Sequence, residues 1–251
     1  MLTFDLPNIS LPALPESERE VAWAIQSNLF ELPSIVEHVS SAVALFQFST
    51  GQRIAHPGAG ESEEDRGKRH KHNDMLRDWK MMAAKAGAIK IYEFHRLEQA
   101  IDAMLKKCPT LEAMLDLEAR KRAARLFHDT FPNFADVRDV AAHGAEIFDN
   151  PDKVNRHATR GEIYGLPNFM IKSGDGKIVG RDLLVESTYS AVFEGKQVSY
   201  NLSDATVATL HSVCTERMNM FAPAQRATRE ILMKRLTEAR AQPSSDQSSR
   251  L

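Results

Sequence analysis

Two residues in this chain have the types and the spacing to do chemistry together, Arg138 and His143, in the run Arg138-Asp139-Val140-Ala141-Ala142-His143-Gly144. An arginine can hold a phosphate through two parallel hydrogen bonds and stabilise the charge of a pentavalent transition state. A histidine titrates near neutral pH, so it can move the proton of a 2′-hydroxyl or of a leaving oxygen. Asp139 is placed to orient either partner. Small residues precede the histidine and a glycine follows it, which suits a helix that packs closely on a neighbour.

The spacing also sets a geometric condition. Five residues along a regular helix amount to about 500° of rotation, so the two side chains point roughly 140° apart. A site that uses both needs an irregular turn or a second copy of the chain. In a monomer with a regular helix, the spacing counts against catalysis.

The segment resembles the signature of the HEPN superfamily: an arginine, a polar residue (Asn, Asp or His), three to five further residues, and a histidine. Asp139 fills the polar position, and Arg138 to His143 matches the shorter spacing. The stretch ahead is similar too, with a long helix, a second helix, and the motif near the start of the next. The likeness is specific over about eight residues and architectural over perhaps 75 more. The excursion at 50–73 and the β segment near the C-terminal side are not part of that family's minimal fold. The resemblance implies a helical array whose active members are metal-independent endoribonucleases, working as homodimers with Arg and His of both subunits facing one cleft. It implies Arg138, His143 and Asp139 as catalytic residues, RNA as substrate, and no cofactor or metal. A toxin or phage-defence role follows from the same resemblance, with a cognate antitoxin or other protein as partner.

The bland reading stands beside it. Arg138 can pair with a carboxylate, His143 can be a core histidine, and the array can be a non-catalytic dimerisation or protein-interaction module. Burial of His143 among apolar neighbours would decide for that reading.

Weaker signals surround the motif. Tyr92, His95 and Arg96 share one stretch of helical pattern and are candidates for a second, substrate-binding wall, although such clusters are commonly interface or surface faces. Lys68-Arg69-His70-Lys71-His72 is basic and could touch a phosphate backbone or a metal, but Glu61, Glu63, Glu64 and Asp65 just ahead largely cancel its field. A solvated polar loop is expected there. Gly174-Asp175-Gly176 lacks the Gly-Lys-Ser/Thr of a phosphate loop and belongs to a tight turn. The chain has no HExxH, CxxC or GxSxG, so zinc-hydrolase, thiol-redox and serine-hydrolase chemistries lack support.

The elements that must position these residues are mostly helical. The Pro-rich stretch 1–16 is expected to be an extended leader, without the basic start and apolar run of a signal peptide. A single helical domain is expected over 17–242. Its first helix runs to about residue 30, broken by Pro33, and a second carries Ile35, Val39, Val43 and Phe46 on one face. Residues 50–73 form a loop. The strongest pattern spans 74–107, with Met75, Trp79, Met82, Ala86 and Ile89 as its apolar stripe and Gly87 kept for a close-packed neighbouring helix. Further helices cover 111–127 and 134–148, the latter capped by Asn133. A three-stranded antiparallel meander follows at about 166–202, with turns at Ser173-Gly174-Asp175-Gly176 and Glu194-Gly195-Lys196. Helices return at 203–240 with a break at Pro223, and 243–251 is a disordered tail. The fold class is therefore mainly α, a helical array with a small antiparallel β-meander inserted.

Composition narrows the partners. A net charge of −2 gives no global basic field, so any RNA contact has to come from a local patch. Cys108 and Cys214 stand far apart, as two reduced thiols would. No apolar run is read as reaching the roughly 18 residues that span a bilayer, so a cytoplasmic protein without a membrane partner is expected.

Overall fold

The computed structural model describes residues 3–52, 56, 58, 60–147, 149–159, 180 and 182–241. The chain is mainly α with a small antiparallel sheet. Its residues fall into two compact units: Met1–Pro33, Leu97–Leu126 and Ser212–Leu251 in one, Ser34–Arg96 and Phe127–His211 in the other.

The first unit begins with an irregular leader and a 3₁₀ turn, Leu11–Ala13. The leader is laid on the last helix, α8 (Ala222–Ala241; the intervening helices are given below). The Ser10 amide donates to Thr228 Oγ1 at 3.2 Å, and Arg235 donates to the Pro12 carbonyl at 2.6 Å. Helix α1 runs Glu16–Gly51 without ending at Pro33, contrary to the expected break. A mid-helix proline costs about 3 kcal/mol. Here Leu29, Leu32, Ile35 and Val36 are all buried on either side of it, and their burial outweighs that cost. By length and composition α1 could cross a bilayer: one 18-residue window reaches mean hydropathy 1.3, with 44% of it buried in the fold. The expectation of no such run thus needs correcting. Ordinary polar residues scattered through α1 hid the average.

Helix α2 spans Glu63–Leu105, α3 Pro109–Glu112 and α4 Leu117–Thr130. The expected single helix from 111 to 127 is interrupted because Asp116 acts as a new N-cap: its Oδ1 accepts from the amides of Glu118 (2.9 Å) and Ala119 (3.1 Å). Later come α7, Asp204–Met220, and α8. The break falls at Phe221, ahead of Pro223, as the proline signal required. In the interior of this unit Arg217 donates through Nε to Glu98 (2.7 Å) and through both Nη atoms to Asp102 (3.0 and 3.1 Å). Cys108 and Cys214 are both buried free thiols. Burial, helped by Glu98, pushes the Cys214 thiol up to about 12.

The second unit holds the motif. Helix α5 covers Phe134–Ile147 and α6 covers Pro151–His157. The sequence reading missed α6, although its start is legible: the Asn150 side chain accepts from the Lys153 amide at 3.0 Å, with Pro151 at the first helical position. The sheet has order β1-β2-β3, with β1 Leu183–Val185, β2 Thr188–Phe193 and β3 Lys196–Asn201. The hairpin at Glu194-Gly195 is confirmed, both residues having positive φ (48° and 75°) and Phe193 pairing with Lys196. Within the expected meander, residues 183–193 form two strands, because Glu186 (φ 51°) turns the chain between them. The expected turn at 173–176, its flanking strand positions and the tail lie outside the described residues.

Two expectations about α2 are corrected. Residues 63–73 are helix rather than loop, held by Lys68–Glu64 (2.7 Å) and by Ser62 Oγ accepting from the Asp65 amide (3.1 Å). The buried stripe is also not the one read from the pattern. Leu76, Ala83, Ala84, Ala88, Ile91 and Phe94 face the interior, whereas Met75 and Met82 are 38% and 62% exposed. Alanines make up half of the buried residues named here, so that face stands out less in the sequence than the bulky stripe beside it. Gly87 does serve a close approach, but to a strand: Tyr200 of β3 lies against it.

Candidate active site

Helix α5 lies against β2 and β3, with Val137 and Val140 buried on that helix. This leaves Arg138 and Asp139 half-buried beside the core rather than in it. The Arg138 guanidinium sits 4.7 Å from the centroid of the Tyr92 ring, a cation–π distance. Its Nη1 donates to Asp139 Oδ1 at 2.7 Å. Tyr92 in turn lies 6.2 Å from Phe134, ring to ring. The structure therefore brings together Tyr92 of α2 with Arg138 and Asp139 of α5, from positions 46 residues apart.

His143 is solvent-exposed, its side chain 45% accessible, and its Nδ1 stands 3.5 Å from Glu146 Oε2. Its backbone leaves the helical region (φ −119°, ψ 17°), so α5 kinks at this residue. The break lies at the histidine itself and redirects the chain after it. A regular helix would set Arg138 and His143 about 140° apart, and the altered φ at His143 turns its side chain away from that regular position. A small residue follows at Gly144, and the last turn is tied by Lys153 Nζ donating to the Glu146 carbonyl at 2.9 Å.

His95 and Arg96, the other candidates for a second wall, go elsewhere. His95 is packed into an aromatic cluster, 5.0 Å from Phe127, 4.5 Å from Phe134 and 5.2 Å from His128. Arg96 is on the exposed side of α2. A small hollow with room for no more than about a water-sized group lies next to α5, lined by Ala88, Ile91, Phe131, Phe134, Val137, Ser199 and Tyr200. Its walls are apolar apart from one serine and the tyrosine, and none of the motif residues lines it.

Sequence reasoning missed three charged neighbours. Burial pushes the Asp136 carboxyl above the usual range; Asp139 and Glu194 push it the same way, and Lys196 opposes them. The hairpin tip thus sets Glu194 and Lys196 near the start of α5. Only the docking of β2 and β3 on α5 creates this neighbourhood, and no local pattern announces it. The basic run at 68–72 is partly neutralised as expected, with Arg69 forked onto Glu61 at 2.8 and 3.0 Å.

Compared with known proteins, the chain matches no family model, no curated protein and no solved structure. Function is therefore argued from the site itself. Its usable parts are an exposed histidine at a helix break, an arginine held by one carboxylate over one aromatic ring, and several carboxylates close by. Among the described residues, no group of three or more His, Cys, Asp or Glu side chains is placed to hold a metal ion.

Proposed function

We propose that the chain is a HEPN-like RNA-acting protein, with Arg138 as phosphate clamp and His143 as proton carrier in metal-independent cleavage. The observation that carries the reading is the exposure of His143 at the kink of α5, on the same helix as a half-exposed arginine. A core histidine would be buried; this one is reachable by substrate. In the reaction the RNA 2′-oxygen bonds to the adjacent phosphorus as the bond to the 5′-oxygen breaks. One His143 takes the 2′-hydroxyl proton and another gives a proton to the departing 5′-oxygen. Arg138 holds the non-bridging oxygens as charge builds on them. Asp139 orients the guanidinium, and Tyr92 supports it from below. Two copies of the chain, with Arg138 and His143 of both facing one cleft as the resemblance implies, are part of the proposal. A toxin or defence role, with a cognate protein partner in the cytoplasm, is consistent with such an activity.

A second reading, a non-catalytic interaction module, is favoured by a specific feature: the guanidinium of Arg138 is already engaged by Asp139, with Asp136 and Glu194 close by. That local charge opposes a phosphate backbone. The deciding experiment incubates purified protein with mixed RNA in EDTA, beside His143→Ala. Cleavage by the wild type that falls by about 100-fold or more in the variant supports the ribonuclease. Equal cleavage by both sinks it, and neither cleavage nor retention of RNA leaves the interaction module.

A further inference from the structure

The tip of the β2–β3 hairpin is held by a histidine. Glu194 and Gly195 form its two-residue turn, and in such a turn the amide of the first residue has no partner in the strand ladder. His157, the last residue of α6, supplies one: its Nδ1 accepts from the Glu194 amide at 3.1 Å. The ring is buried and stacks on Phe193, 4.8 Å between centroids. A Cβ on Gly195 would stand 3.7 Å from the Ala158 carbonyl oxygen, so the tip is seated on the end of α6. An amide N–H only donates, so Nδ1 can accept from it only while it carries no proton. The bond therefore assigns the neutral ring, with its proton on Nε2. A second proton would set a donor against a donor in a place largely shielded from water.

We propose that His157 is a pH-sensitive latch for the hairpin tip, closed while the imidazole is neutral and opened when it takes up a proton. Histidine is the side chain suited to such a switch near neutral pH. Among the described residues, the charges on the surrounding elements offer the amide no substitute acceptor on α6. There Lys153 is held by Asp149 and by the Glu146 carbonyl, both at 2.9 Å, while Asp152 and Arg156 are exposed. At the end of α5, which packs on α6, His143 faces Glu146 at 3.5 Å. On the tip itself Glu194 and Lys196 are exposed, and both act on Asp136 at the start of α5. Opening carries these two charges away from Asp136, so the latch changes the field beside Arg138 and Asp139.

The latch is tested without RNA, so its failure and that of the ribonuclease reading are separate results. Heteronuclear NMR of the isotope-labelled full chain, from about pH 8 to about pH 5, follows both sides of the bond. In the closed state the His157 ring should show a bare Nδ1 and a protonated Nε2. On acidification the ring should titrate, and protection of the Glu194 amide against hydrogen exchange should fall about 10-fold or more with the same midpoint. His157→Asn keeps a nearby acceptor that no proton removes, and His157→Phe keeps the stacked ring without any acceptor. Neither variant should show the pH dependence, and the amide should be better protected in the first than in the second. Glu194→Gln should still open, which separates loss of the amide bond from capture of the imidazolium by the carboxylate. The reverse tautomer, a ring that stays neutral throughout, a ring that titrates while the amide stays protected, or a pH-dependent amide in either His157 variant would each overturn the proposal.

Discussion

Gly87 of α2 and Tyr200 of β3 are in such close approach that a Cβ at position 87 would stand 2.6 Å from the tyrosine hydroxyl oxygen. That hydroxyl donates to the Ala84 carbonyl one turn earlier on α2, and the ring is buried. The sheet is thus fastened to the helix by a tyrosine that occupies the space a side chain would need. Leu202, 3.0 Å from the same Cβ position, closes the other side.

Gly87→Ala is therefore expected to destabilise the protein, against the gain of about 1 kcal/mol that alanine brings to an ordinary helix interior. Overpacking of this kind costs roughly 1–3 kcal/mol. Adding Tyr200→Phe removes the clashing oxygen, so the double variant should lose less than the two single losses summed. Urea denaturation of the four proteins measures the coupling. An alanine variant as stable as the wild type would show that the contact relaxes freely.

Arg217→Met should cost about 3–5 kcal/mol, the range for breaking a buried ion pair by removing one partner. Burial works to lower the arginine's proton affinity, but Glu98 and Asp102 outweigh it and hold the group above its ordinary value. Methionine keeps much of the volume and leaves Glu98, itself buried, facing no guanidinium. Asp102 retains Arg120 at 3.2 Å. Pairing the change with Glu98→Gln should recover part of the loss, readable in the midpoint of chemical denaturation. No recovery would mean that the guanidinium matters for packing rather than for charge.

How much of this was legible beforehand depends on the scale of the signal. Helix α5 begins after Phe131-Pro132-Asn133 where the break signals put it, and the Glu194-Gly195 hairpin follows from its turn chemistry. Pro33 misled because its local cost is visible in sequence while the burial of Leu32 and Val36 is not. Along α2 the reading chose the bulky stripe, but alanines and Gly87 permit the closer approach that buries the opposite face. For the site, Arg138, Asp139 and Tyr92 were named from sequence and do meet. His95 was grouped with them by spacing alone, and it belongs to the Phe127–Phe134 cluster instead. Asp136, Glu194 and Lys196 could not be grouped at all, since long-range docking makes them neighbours.

Arg138→Lys is expected to separate clamp from scaffold. Lysine keeps the charge but loses the planar fork and stacks less well on Tyr92. If Arg138 holds phosphate, RNA cleavage in EDTA should fall by about 10-fold or more, with thermal stability changed little. If Arg138 serves only its bond to Asp139, stability should drop by no more than about 1 kcal/mol and RNA handling should not change. Measuring both on the same preparation distinguishes the two.

Asp136→Asn tests the acidic surroundings of α5 through pH. The folded-state pKa of Asp136 is raised by burial first, then by Asp139 and Glu194. A raised carboxyl binds its proton more tightly in the folded chain than in the unfolded one. Its contribution to stability is therefore complete below the unfolded value, near 3.8, and is lost as pH rises through the folded value. At neutral pH the charged carboxylate is a liability that asparagine removes. The variant should be slightly more stable at pH 7, by no more than about 0.5 kcal/mol for a residue only partly buried. Its advantage should shrink steadily on acidification, as the wild type gains the proton that asparagine never needs. Thermal melts at several pH values read the difference, and a variant that loses stability at neutral pH would mean that the helix start needs the negative charge more than its neighbours resist it.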